Sequence, residues 1–274
     1  MKAWNERKKT CFTLGAAVLV LVLVTVSGMI LSDEAIVTDF ARKNTAPSAH
    51  FLFGTDWLGR DMLARTLTGL SLSIRIGLLT AGVSAVLALV LGLAAATLGR
   101  RADAVISWLI DLTMGVPHIL LVMLIALAFG RGLTGVVAGV ALSHWPSLAR
   151  VIRGEVIQLR QAPYILTASK LGVSRWRVIQ RHMLPHLLPQ FVVGLVLQFP
   201  HAILHEASIT FLGFGLPPEQ PAIGVILSES MRYLTTGRWW LALFPGLALM
   251  LTVLLFASIG DRLRRLLDPS SAQR

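Results

Sequence analysis

A chain of 274 residues that is 55% hydrophobic and only 14% charged is not an ordinary soluble domain, which carries roughly 25% charged residues. Its net charge of +11 does not signal nucleic acid, because the Lys and Arg residues flank long apolar runs, where they act as topology signals. The single cysteine, Cys11, excludes an intrachain disulfide and a cysteine-based metal site.

Several apolar runs reach about 20 residues, the length needed to cross a bilayer, so the chain reads as an all-α, polytopic membrane protein. Residues 1–10 carry Lys2, Arg7, Lys8 and Lys9, and residues 11–31 are apolar. That run is longer than the core of a signal peptide and has no small-x-small cleavage site, which predicts a retained first span with a cytoplasmic amino end. Residues 32–69 are polar and external by alternation, with Gly54-Thr55-Asp56 and Gly59-Arg60-Asp61 at their centre. Asp61 and Arg65 are spaced as an (i, i+4) pair on a helix.

Span two is expected at 71–98, followed by a basic turn at 99–103. Span three, at 105–129, contains Asp111 and is interrupted by Pro117. Span four, at 133–150, carries Gly135 and Gly139 at a spacing that permits close helix packing, with His144 toward its inner end. A basic loop at 150–186 holds seven Lys and Arg residues against one acid, Glu155. Within it Pro163 suits a first helical turn, Gly172 a helix end and Ser174 an N-cap. Span five, at 187–212, is interrupted by Pro200. An external segment at 213–239 includes a short helix around 224–234, and span six, at 240–260, ends in Asp261-Arg262-Leu263-Arg264-Arg265. Six spans place both termini and 17 of the 25 Lys and Arg residues inside. The expected organisation is an anchor helix and external segment over 1–69 and a transmembrane domain over 70–274.

There is no Gly-x-x-x-x-Gly-Lys-Ser/Thr, no His-Glu-x-x-His and no Gly-x-Ser-x-Gly, so no enzyme active site is indicated. His201 and His205 are four residues apart and share a helix face. Ionisable groups inside a span usually face a pathway or a partner, and imidazole is a ligand for nickel. Two imidazoles do not complete a metal site, and neutral histidines bonded to neighbouring helices are the plainer alternative. Asp111 and Glu206 are the intramembrane acids, each suited to substrate contact, proton relay or an interhelical hydrogen bond. The pathway candidates are therefore His144, His201, His205, Glu206 and Asp111, with His201 and His205 as candidate metal ligands.

The basic loop has a more specific pattern. Tyr164, Ala168, Gly172 and Leu184-Pro185, closing Arg181-His182-Met183-Leu184-Pro185, resemble the coupling loop of permease subunits of binding-protein-dependent ABC importers. The family's Glu position falls on Leu166 and its first Ala on Thr167. The Gly-Thr-Asp segment and Glu206-Ala207-Ser208-Ile209-Thr210-Phe211-Leu212-Gly213-Phe214-Gly215 resemble the dipeptide, oligopeptide and nickel branch. The histidines near 144, 201 and 205 resemble its nickel members.

The resemblance implies a type I importer permease fold in the bacterial cytoplasmic (inner) membrane, in contact with lipid. It implies a homologous permease as heterodimer partner, two ATPase subunits that bind ATP-Mg, and an extracytoplasmic substrate-binding protein. This chain would hold no cofactor and bind no nucleic acid. Tyr164, Ala168, Gly172, Leu184 and Pro185 would couple it to the ATPases. The expected cargo is nickel or a metal chelate, with di- or oligopeptides as the alternative. A stand-alone secondary transporter is the competing class, and no inverted repeat supports it.

Overall fold

The structure, a computed structural model, describes residues 6–267. Lys2 and Arg274, two of the 17 charges expected inside, lie outside the described residues. Ten α-helices are described: α1 Glu6–Ile30, α2 Met62–Thr97, α3 Arg100–Gly115, α4 His118–Ala128, α5 Leu133–Leu159, α6 Pro163–Lys170, α7 Arg175–Val178, α8 Leu184–Phe211, α9 Ile223–Leu234 and α10 Trp240–Leu267. Among the described residues there are no β-strands, only an isolated bridge between Thr55 and Asp61.

Five helices are long and apolar enough to span a membrane: α1, α2, α5, the continuous α7–α8 segment and α10. The third expected span is broken. α3 and α4 meet at 103°, and together they make the sixth candidate. Pro117 has no N–H for a helical ladder, and it drives Val116 into extended backbone (φ −89°, ψ 138°). Pro200 and Pro146, by contrast, are absorbed inside α8 and α5.

Helix association in lipid gains little from the hydrophobic effect and depends on close packing. α2 and α5 form the central pair. Ala85, Ala88, Ala95 and Ala96 of α2 meet Trp145, Leu148, Ala149, Ile152 and Val156 of α5 in one buried cluster. Gly139 of α5 lies so close to α4 that an added Cβ would stand 2.7 Å from the Val122 carbonyl oxygen. The Gly135/Gly139 spacing therefore marks a real helix crossing. α8 packs on α2 and α10, and α1 on α2 and α10.

The two ends of the bundle differ. At one end, residues 31–61 fold over the starts of α2 and α10 and against α9. α2 begins at Met62, nine residues before the expected span, with Asp61 as N-cap accepting from the Leu63 N–H at 2.7 Å. Arg65 does not pair with Asp61. It is 1% exposed and donates to Asp56 Oδ2 (2.6 Å) and Glu229 Oε2 (2.9 Å). The other Asp56 oxygen accepts from the backbone of Leu58 and Arg60, and the Arg60 side chain completes the cluster at 2.7 Å. Trp57 lies under both guanidinium groups and stacks on Tyr233 at 4.8 Å. At the opposite end sit the ends of α2, α5 and α10, the start of α1, and the short helices α6 and α7. Arg160 donates to the Ala96 carbonyl there, and Arg262 of α10 donates to Thr13 of α1.

Candidate functional site

The break between α3 and α4 opens a cavity of about 600 Å³. Its wall is built from Thr113 to His118 at the break, Ser143, His144, Pro146 and Ser147 of α5, and Gln198, His201 and His205 of α8. Irregular backbone at membrane depth is tolerated where it lines such a cavity, because water or cargo satisfies its polar groups. The i, i+4 spacing of His201 and His205 does bring both to this wall. His201 is exposed, and its carbonyl accepts from His205 Nδ1 at 2.7 Å.

The rings that converge are His118, His144 and His205. One nitrogen from each lies within 4.8 Å of the others, and the ring centroids are 4.4–4.9 Å apart. His201 is not part of this group, which keeps His205 of the expected pair and adds His118 and His144. Reading Pro117 only as an interruption of a span leaves His118 unmarked. A Pro-His step inside an apolar run is the signal that could have found it: it starts a half-helix, and half-helix starts line cavities.

Both partly pinned rings have assigned tautomers. A carbonyl oxygen only accepts, so His144 Nδ1 carries the proton it donates to Val140 O (2.8 Å), and His205 Nδ1 does the same toward His201 O. His144 Nε2 then presents a lone pair, 3.3 Å from His205 Nδ1. His118 Nε2 is buried without a hydrogen-bond partner. Both polar atoms of the Gln198 side chain are likewise buried and unpartnered in this wall. Gln198 was not anticipated, since nothing in its local sequence sets it apart.

The two acids lie elsewhere. Glu206 is fully buried, is not among the residues that line the cavity, and accepts from the Thr210 hydroxyl at 3.1 Å. Asp111 is not the buried acid expected. Its side chain is 71% exposed and pairs with Arg150 at 2.6 Å. α3 buries only Ile106 and Ile110, so an acid one position on faces outward.

The basic end carries the second surface. α6 starts at Pro163 and stops in a Schellman motif: Val173 N–H donates to Ala168 O (3.1 Å) and Gly172 N–H to Ser169 O (3.2 Å). That stop needs a left-handed residue, and Gly172 has φ +78°. The four-residue spacing of Ala168 and Gly172 is therefore the spacing of a helix stop. Ser174 caps α7, accepting from Arg177 N–H at 3.4 Å. A π turn at Ile179–Met183 leads into α8, where Pro185 would otherwise clash with the preceding turn. Leu184 is half-buried and Pro185 exposed at this junction. Ile165 anchors α6 to the bundle, while Tyr164, Leu166, Leu171 and Trp176 are 48%, 49%, 78% and 65% exposed. Lys170, Arg175, Arg177 and Arg181 lie among them.

Residues 88–273 match the family model described as "Binding-protein-dependent transport system inner membrane component". The chain is similar to the dipeptide transport system permease protein DppC of Bacillus subtilis, at 31% identity over 97% of this chain and 84% of that one. It is similar to the glutathione transport system permease protein GsiD of Pectobacterium atrosepticum, at 34% identity over 97% and 89%. The DppC of Alkalihalophilus pseudofirmus matches at 33% identity over 98% and 89%. In fold, it resembles a chain of the MetNI methionine ABC transporter in an inward-facing crystal form. That match has a TM-score of 0.60 at 16% identity and covers 76% of this chain and 98% of the other. Membership sets aside a stand-alone secondary transporter: ATP hydrolysis belongs to a separate ATPase, and a binding protein delivers the cargo. The chain belongs to the binding-protein-dependent transport system inner membrane components, the permease subunits of ABC importers.

Proposed function

We propose that this chain is one of two homologous permease subunits of an ATP-driven importer of short peptides. The observation that carries the cargo is that relatives aligned over nearly the whole chain are named for dipeptide and glutathione transport. Nickel, the narrower expectation, has support only from the histidine cluster. A cavity of about 600 Å³ lies in the range of small-molecule sites, roughly 300–1,000 Å³. The unpartnered Gln198 amide in its wall suits a peptide group, since its Nε2 donates and its Oε1 accepts. The open amino end of α4 favours a carboxylate beside it.

By the positive-inside rule, the end bearing α6 and α7 faces the cytoplasm. There the exposed Tyr164, Leu166, Leu171 and Trp176 among basic residues form the surface on which an ATPase seats. MgATP binds on the ATPases. Closure of the ATPase pair carries α6 with it, and the spans rock between inward-open and outward-open states around the cavity.

The test is uptake by cells lacking this gene, with a labelled dipeptide and with radioactive nickel. The expected result is loss of dipeptide uptake with nickel uptake intact. Loss of nickel uptake alone would overturn the peptide reading and leave family membership untouched.

A further inference from the structure

We propose that His118, His144 and His205 form a binding site for one divalent transition-metal ion in the wall of the cavity. The three rings come from three helices, α4, α5 and α8, and converge to within 4.8 Å at one nitrogen each. Nitrogens sharing an ion at about 2.1 Å in tetrahedral geometry stand roughly 3.4 Å apart, so ring rotation and a small inward shift complete the site.

Two features go beyond close packing of rings. First, His144 Nδ1 and His205 Nδ1 each donate to a backbone carbonyl one turn earlier. This is the outer-shell bond that orients metal-binding histidines and leaves Nε2 as the ligand atom. Second, His118 Nε2 is buried with no hydrogen-bond partner. Neutral rings packed edge to face would leave that nitrogen uncompensated, at the cost of a buried unsatisfied polar atom. A metal ion compensates it. An all-imidazole set with no thiolate and no carboxylate suits Zn²⁺, Ni²⁺, Cu²⁺ or Co²⁺ and not Ca²⁺ or Mg²⁺.

Three protein ligands leave a coordination position open. It faces the cavity, where the amino and carbonyl groups of an entering peptide are themselves ligands. The inference stands apart from the cargo reading, because the site is assigned from the histidine geometry alone.

Co²⁺ titration of the full-length chain in detergent, carrying a tag without histidine, tests it. The visible absorption of Co²⁺ should saturate at one ion per chain. His118→Gln, His144→Gln and His205→Gln should each weaken binding at least tenfold, while His186→Gln, at the basic end, should leave it unchanged. Absence of saturable binding to the parent chain would overturn the site without reliance on any variant. So would an unchanged titration in the triple variant. A chain that binds Co²⁺ here but does not support dipeptide uptake keeps the site and loses the cargo reading, and the reverse pattern does the opposite.

Discussion

The two ends of this bundle solve opposite problems. At the capped end the buried charges pair within the chain: Asp56 is 0% exposed and accepts four hydrogen bonds, two of them from Arg60 and Arg65 side chains. At the basic end four large side chains stay exposed on two short helices and the turn between them, held to the bundle through Ile165, Val178 and their neighbours. The first arrangement fixes a shape. The second is a surface whose apolar residues need another chain to cover them. Stability and coupling should therefore be separable by mutation, and three substitutions test that separation.

The largest effect belongs to the capped end. Asp56→Asn leaves the buried Arg65 with Glu229 as its only carboxylate. Losing one partner of a buried ion cluster should cost about 3–5 kcal/mol, seen as a lower thermal transition in detergent and less protein in the membrane. A transition unchanged by this variant would mean the cap is not a stability element.

Next is Gly172→Val. A β-branched residue at φ +78° carries a local strain of about 1–2 kcal/mol and disrupts the α6 stop. No neighbour lies within 4 Å of the added Cβ, so the damage is confined to this turn. The expected outcome is a thermal transition lowered by a few degrees at most, far less than by Asp56→Asn, with reduced ATPase co-purification and a several-fold loss of ATP-dependent uptake. Retained coupling would separate the basic end from the docking role.

The smallest effect is Arg150→Ala. Both side chains of the Arg150–Asp111 pair are more than half exposed, and such pairs contribute less than about 1 kcal/mol. Thermal unfolding should barely respond. A large shift would show that Asp111 acts structurally in the assembled importer.

Features set by neighbouring residues were legible in the sequence. Pro163, Gly172 and Ser174 define helix starts and stops through bonds that reach at most five residues. The apolar runs found the spans for the same reason, and Gly135 and Gly139 foretold the tight approach to α4. What failed depends on pairings across the chain. Arg65 appeared to belong with Asp61, four residues away, whereas its partner Glu229 is 164 positions distant and on another helix. The histidine cluster was legible in part: His144 and His205 stood among the pathway candidates, but spacing paired His205 with His201, and the cluster takes His118 from α4. Helix spacing shows which residues share a face, not which faces meet.

The most direct test of the central claim, that cargo passes the cavity at the α3–α4 break, uses Ser147. It is exposed, lines the cavity and differs from cysteine by one atom. In a Cys11→Ala background, Ser147→Cys in the reconstituted importer should react with a bulky thiol reagent and lose dipeptide uptake, and excess dipeptide should slow the labelling. Complete labelling with uptake intact, at a rate that dipeptide does not change, would contradict the account.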